Sequence, residues 1–101
     1  MSIEEIQKKL VEAIKENPHR DEIRKVSLFG SYVYGSPKED SDVDVLIEFE
    51  PNASVGLFKF VRIQRAFSEF IGKKVDLLTP PALSKYFRDE VLANAKTIYE
   101  K

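Results

Sequence analysis

The sequence has 101 residues, with 16 Lys and Arg against 17 Asp and Glu and a formal net charge of -1. That balance supplies no electrostatic reason for general binding to nucleic acid or to an anionic membrane. Cysteine is absent and His19 is the one histidine, which excludes disulfides, thiolate nucleophiles, cysteine-based zinc sites and histidine-rich metal centres. Any acid–base or metal chemistry must therefore fall to carboxylates.

A hydrophobic content of 43% with 33% charged residues describes a globular chain with a heavily charged surface. Its length predicts one domain, residues 1–101, able to bury about 60–70% of the surface that the unfolded chain exposes. The opening "MSIEEIQKKL" is acidic and amphipathic rather than a signal stretch, and no run reaches membrane-spanning length. A cytoplasmic location is the expectation.

Ser2 and Glu5 make a capping box ahead of Ile3, Ile6, Leu10 and Ile14 at helical spacing, and Asn17-Pro18 ends that helix. His19, in "ENPHRDE", reads as a surface or helix-end residue. "RKVSLFG" predicts a short strand stopped by Gly30. Residues 42–49 predict a second strand, with Val43, Val45, Ile47 and Phe49 on one face and Asp42, Asp44, Leu46 and Glu48 on the other.

Pro51-Asn52 turns the chain. Leu57, Phe60, Val61, Gln64, Phe67 and Ile71 then trace an amphipathic helix, with Gly72 as its left-handed terminator. Lys59, Arg62 and Arg65, three apart on that helix, read as a solvated face. "KKVDLLT", residues 73–79, predicts a third strand. After Pro80-Pro81, the segment "YFRDEVLANAKTIYE" offers Phe87, Val91, Leu92, Ala95 and Ile98 as the buried stripe of a last helix. The expected class is α/β (α+β), with helices packed on a short mixed sheet whose strand order the pattern leaves open.

Two aspartates at i and i+2 of a strand share a face, with Cβ atoms about 6–7 Å apart. That spacing lets them share divalent ions, which would offset their repulsion. Paired metals about 3.5–4 Å apart serve polymerase and nuclease chemistry, and magnesium suits a few carboxylates plus phosphate oxygens. Alone, Asp42-Val43-Asp44 is a weak signal, because a solvated strand end also explains it. Gly30-Ser31 adds weight: it ends one strand and can open a short helix whose backbone N–H groups seat an anion.

Two rival motifs fail. Gly30 and Gly35 have Walker A spacing, but Ser36 stands where the lysine belongs and Pro37 where Ser or Thr belongs. Asp40, Asp42 and Asp44 mimic the first ligands of an EF-hand, yet Val45 takes the glycine position and Pro51 that of the bidentate glutamate.

The pattern Gly30-Ser31, ten residues, Asp42-Val43-Asp44, then Asp76 in "KVDLL" resembles the nucleotidyltransferase superfamily that includes DNA polymerase beta. The short length and the closing "KKVDLLTP…TIYE" are similar to its minimal members, the MNT proteins. The resemblance covers nearly the whole chain. It implies that Asp42 and Asp44 bind two Mg²⁺ holding a nucleotide triphosphate, with Asp76 completing the metal site and helping to deprotonate the incoming hydroxyl. Ser31 and the backbone at Gly30 would contact the terminal phosphates. These roles require strand 73–79 to lie beside strand 42–49, with Asp76 on the side of Asp44.

One departure stands out. Minimal members commonly carry a small residue and an arginine before the second glycine, where this chain has Val33 and Tyr34, preceded by Tyr32. The tyrosines read as packing groups, with stacking on a nucleobase as the other role. The resemblance further implies the antitoxin half of a HEPN/MNT module (type VII), transferring AMP from ATP to a tyrosine of a HEPN-domain toxin. A vestigial module that neutralises a partner by contact alone is the first alternative. A small-molecule (antibiotic) nucleotidyltransferase is the second, and it would need an acceptor pocket within the chain or across a homodimer. Nucleic-acid end modification is the weakest. A homo-oligomer is left open.

Overall fold

The computed structural model describes residues 1–35 and 41–101, together with the backbone but not the side chains of Ser31 and Tyr34. Helix α1 spans Ile3–Glu16. Its capping box forms as expected: Glu5 N donates to Ser2 Oγ at 3.2 Å, and Ser2 N donates to Glu5 Oε1 at 3.5 Å. Glu4 and Glu5 in the first turn and Lys15 in the last complement the helix dipole. Asn17 ends the helix in an extended conformation, and its buried Oδ1 accepts from His19 N at 2.9 Å.

Strand β1 is Ile23–Phe29, followed by the short helix α2, Ser31–Tyr34. Strand β2 is Val43–Phe49, α3 is Leu57–Ile71, and β3 is Val75–Leu78. Asp42 therefore lies just before β2, one residue outside the expected strand. Gly72 closes α3 with φ 80°, the left-handed conformation that favours glycine.

The strand order is β3-β2-β1-β4, β4 being Lys96–Glu100. β1 is antiparallel to both neighbours, and β3 runs parallel to β2. A parallel pair needs a crossover, and α3 supplies it. The expected α/β class holds. One face of the sheet, with Val26, Leu28, Val45, Ile47 and Val75, is buried under Ile6, Leu10 and Ile14 of α1 and Ile63 and Phe67 of α3. Alternation sends Asp44, Leu46 and Asp76 to the opposite face.

Three expectations need correction. The last helix, α4, is only Arg88–Asn94 and buries none of its residues; Phe87 is 62% and Leu92 42% exposed. Ile98 belongs to β4, where Tyr99 pairs with Val26 and Thr97 with Ser27. Thr97, Ile98 and Tyr99 suit a strand intrinsically, and the free edge of β1 draws them into one.

On α3 the buried residues are Ile63, Phe67 and Ile71, whereas Leu57 is 74% and Val61 37% exposed. The apolar stripe is wide enough for two rotations of the helix, and its seat on the sheet selects one of them. Lastly, Lys59 is tethered rather than free in solvent: its Nζ donates to Glu22 Oε1 at 3.0 Å and to the Ser54 carbonyl at 2.9 Å. Arg62 and Arg65 are exposed, as expected.

Candidate active site

The parallel pair β2–β3 is anchored at its mouth by Val43 N donating to the Lys74 carbonyl at 2.9 Å. From there the register runs Val43 with Val75 and Asp44 with Asp76. Adjacent residues of neighbouring strands share a face, so the two carboxylates stand side by side. On its other flank Asp44 is opposite Phe29 of β1. Asp42, two residues back from Asp44, is on the same side at the rim.

Gly30 follows β1 with φ 74°, in the left-handed region. A Cβ built there would meet the Asp44 side chain, 2.9 Å from Cγ and closer still to Oδ2. The glycine is thus needed where β1 turns into α2, both for its backbone angle and because the Asp44 carboxylate occupies that space. The turn is tied down by Val33 N donating to the Gly30 carbonyl at 3.0 Å.

The electrostatics follow from the crowding. Asp44 is half-buried and its pKa is raised, first by burial and then by the charges of Asp76 and Asp42. Lys74 Nζ lies 3.7 Å from Asp42 Oδ2; it is 70% exposed, so the pair is strongly screened. Sequence reading passed over Lys74, for which the available signal was a basic pair directly before a strand that starts beside an acidic one.

An all-oxygen donor set with accumulated negative charge fits a hard divalent cation. Among the described residues no group of three or more His, Cys, Asp or Glu converges into a ready-made cage. Magnesium does not need one, because it takes one or two carboxylates and completes its shell with water and phosphate oxygens.

Of the other residues singled out in sequence, Tyr32 is 5% exposed and belongs to the core. That accords with packing and leaves no face for a base. The side chains of Ser31 and Tyr34, and residues Ser36, Pro37 and Asp40, lie outside what the structure describes. His19 is a partly exposed residue at the start of a 3-10 turn, with Nδ1 3.6 Å from Glu22 Oε1. Among the described residues no helix is long and apolar enough to cross a membrane.

Comparison with known proteins identifies the family and the fold. A family model described as the nucleotidyltransferase domain matches residues 7–98. The protein adenylyltransferase MntA of Thermococcus cleftensis is 38% identical over 92 residues, covering 91% of each chain. Among solved structures, a candidate minimal nucleotidyltransferase superposes with a TM-score of 0.74 at 30% identity, covering 94% of both chains. A complex of a tri-AMPylated HEPN toxin with its MNT antitoxin, from Shewanella oneidensis, gives 0.68 at 15% identity, covering 98% of this chain and 73% of that one. This last likeness concerns the fold.

Proposed function

The chain belongs to the nucleotidyltransferase domain family, and on that premise we propose that it is a magnesium-dependent protein adenylyltransferase. It moves AMP from ATP to a hydroxyl of a HEPN-domain toxin, a tyrosine being the acceptor, and acts as the antitoxin in the cytoplasm. The observation that carries the reading is the β2–β3 register, which sets Asp76 beside Asp44 with Asp42 at the rim. The likeness to a protein adenylyltransferase, MntA, supports the reaction class, and the fold shared with the antitoxin bound to an AMPylated HEPN toxin suggests the partner.

Asp42, Asp44 and Asp76 would hold magnesium, which when bound neutralises the triphosphate and lowers the pKa of an attacking hydroxyl. The protein's own part is placement. Gly30 leaves room for the Asp44 carboxylate and, with Ser31, brings backbone N–H groups toward the terminal phosphates. The acceptor oxygen attacks the α-phosphorus in line, the bond to pyrophosphate breaks, and the hydroxyl proton passes to Asp76. The products are an O-adenylylated protein and pyrophosphate. The side chain of Asp42 at the rim is 39% exposed, which suits an acceptor side chain presented by another protein.

The test combines the purified chain, Mg²⁺, ATP labelled on the α-phosphate and the HEPN-domain protein of the same organism. Label should appear on the HEPN protein, disappear with Asp42→Asn, and disappear when the acceptor tyrosine becomes phenylalanine. A HEPN protein that is bound and neutralised without label would replace this reading with inhibition by contact.

A further inference from the structure

Asp76 is the second residue of β3, a strand of four residues at the edge of the sheet. The ends of an edge strand open readily, because a neighbouring strand holds the backbone on one side only. The ladder to β2 alone would therefore hold Asp76 beside Asp44 loosely.

Helix α3 supplies the other side. On the inner side, the Lys74 carbonyl accepts from Val43 N at 2.9 Å. Alternation then turns the N–H and C=O of Val75 away from β2, toward the outer edge. Side chains of α3 take both groups. Val75 N donates to Ser68 Oγ at 3.0 Å, and the Val75 carbonyl accepts from Gln64 Nε2 at 2.8 Å. Gln64 and Ser68 are four residues apart and so lie on one side of the helix. Together they offer Val75 the acceptor and the donor that a further strand would bring.

The effect falls on the next residue. The N–H held by Ser68 belongs to the Lys74–Val75 peptide group, whose carbonyl Val43 N holds from the opposite side. The carbonyl held by Gln64 belongs to the Val75–Asp76 peptide group. Three bonds thus fix the tilt of both peptide groups that lead into the Asp76 Cα, and the fully buried Val75 side chain is seated in the core. The direction of the Asp76 Cα–Cβ bond follows from that backbone. Ser68 also closes the turn between helix and strand, because its carbonyl accepts from Gly72 N at 2.8 Å.

We propose that Gln64 and Ser68 are positioning residues of the transfer site, a clamp on Val75 that aims the Asp76 carboxylate at the cation it shares with Asp44. The proposal rests on the role given to Asp76 above. The two side chains act through Val75 and not on the reacting atoms. A clamp that merely protected the edge would matter to stability alone, whereas one that aims Asp76 also sets Mg²⁺ affinity and rate.

The test compares the wild type with Gln64→Met, Ser68→Ala and Ser68→Thr, at a temperature where circular dichroism shows each to be folded. Gln64→Met keeps the length of the side chain and removes the donor, and Ser68→Thr keeps the hydroxyl. Ser2→Ala is the control, since it breaks the capping box of α1 and lowers stability without touching β3. In Gln64→Met and Ser68→Ala the Asp76 amide should exchange its hydrogen faster than in the wild type. Mg²⁺ affinity, followed by titration at the Asp44 and Asp76 amide resonances, should fall about 10–100-fold, the usual cost of losing a group that orients a metal ligand. The kcat of adenylyl transfer should fall over the same range, with the KM for ATP little changed. Ser68→Thr should recover most of both, and Ser2→Ala should match the wild type. Clamp variants with the Mg²⁺ affinity of the wild type, or an equal loss in Ser2→Ala, would overturn the proposal. A wild type that binds Mg²⁺ but labels no acceptor would count against the proposed function alone, and hydrogen exchange with Mg²⁺ affinity then decides the clamp. A wild type that binds no Mg²⁺ overturns both.

Discussion

The carboxylate of Asp44 fills the space that a Cβ on Gly30 would need, with Asp44 Cγ only 2.9 Å from that position. Two parts of the sequence that read as separate motifs, the Gly-Ser pair and the Asp-x-Asp, are therefore one packed unit. Gly30→Ala imposes a left-handed conformation on a residue with a Cβ, costing about 1–2 kcal/mol. It also pushes on Asp44, at about 1–3 kcal/mol for an overpacked site. A fall in melting temperature together with a loss of adenylyl transfer is expected. A variant with unaltered melting temperature would show that the carboxylate moves aside freely.

Asp44 itself should destabilise the fold. Its raised pKa means that the native state binds the proton more tightly than the unfolded state does. The penalty is absent below the ordinary aspartate value of about 3.9, grows as pH rises through the raised pKa, and is fully present at neutrality. Asp44→Asn should consequently raise the melting temperature at pH 7 while abolishing transfer, and the gain should vanish in acid. Thermal melts of both proteins across pH check the trend.

Magnesium should act on the same balance. A divalent ion relieves the mutual repulsion of Asp42, Asp44 and Asp76, so it should raise the melting temperature of the wild type in a concentration-dependent way. In Asp44→Asn the rise should be smaller. Equal shifts in both proteins would place the ion elsewhere.

Asp76→Asn keeps the shape of β3 and removes the group assigned to the acceptor proton. Transfer should fall by about 10²–10⁴-fold, the range for loss of a positioned general base. Loss of a metal ligand alone would be rescued by raising Mg²⁺. Loss of the base would instead show as an altered dependence of rate on pH.

Ser68→Ala leaves the Val75 N–H without its partner at 3.0 Å. An unsatisfied backbone group at a partly buried site costs about 1–3 kcal/mol, and the β3 edge becomes available to other chains. Urea unfolding should show the lost stability, and light scattering on heating should show earlier aggregation.

Much of this was legible in the residues because it depends on near neighbours. The capping box of Ser2 and Glu5, the left-handed stop at Gly72 and the shared side of Asp42 and Asp44 need only a few bonds of chain to define them. Periodicity alone misplaced the segment after Pro81. The spacing of Phe87, Val91, Ala95 and Ile98 satisfies a helix, whereas the open edge of β1 makes a strand of Lys96–Glu100 the better use of the backbone. Ile63 was missed for a related reason: the period of α3 leaves its rotation free until the sheet is in place.

By itself the sequence determined which residues could do the chemistry. Without cysteine, and with one histidine, the carboxylates beside a glycine turn were the candidates that local spacing could assemble. The tertiary structure alone decided that Asp76 stands next to Asp44, that Asp44 packs against Gly30, and which strands form the sheet's edges. The physical reason is that strand order and register arise from contacts between residues far apart in the chain. Such contacts form when a crossover helix such as α3 finds its seat on the sheet, and no local pattern encodes that seat.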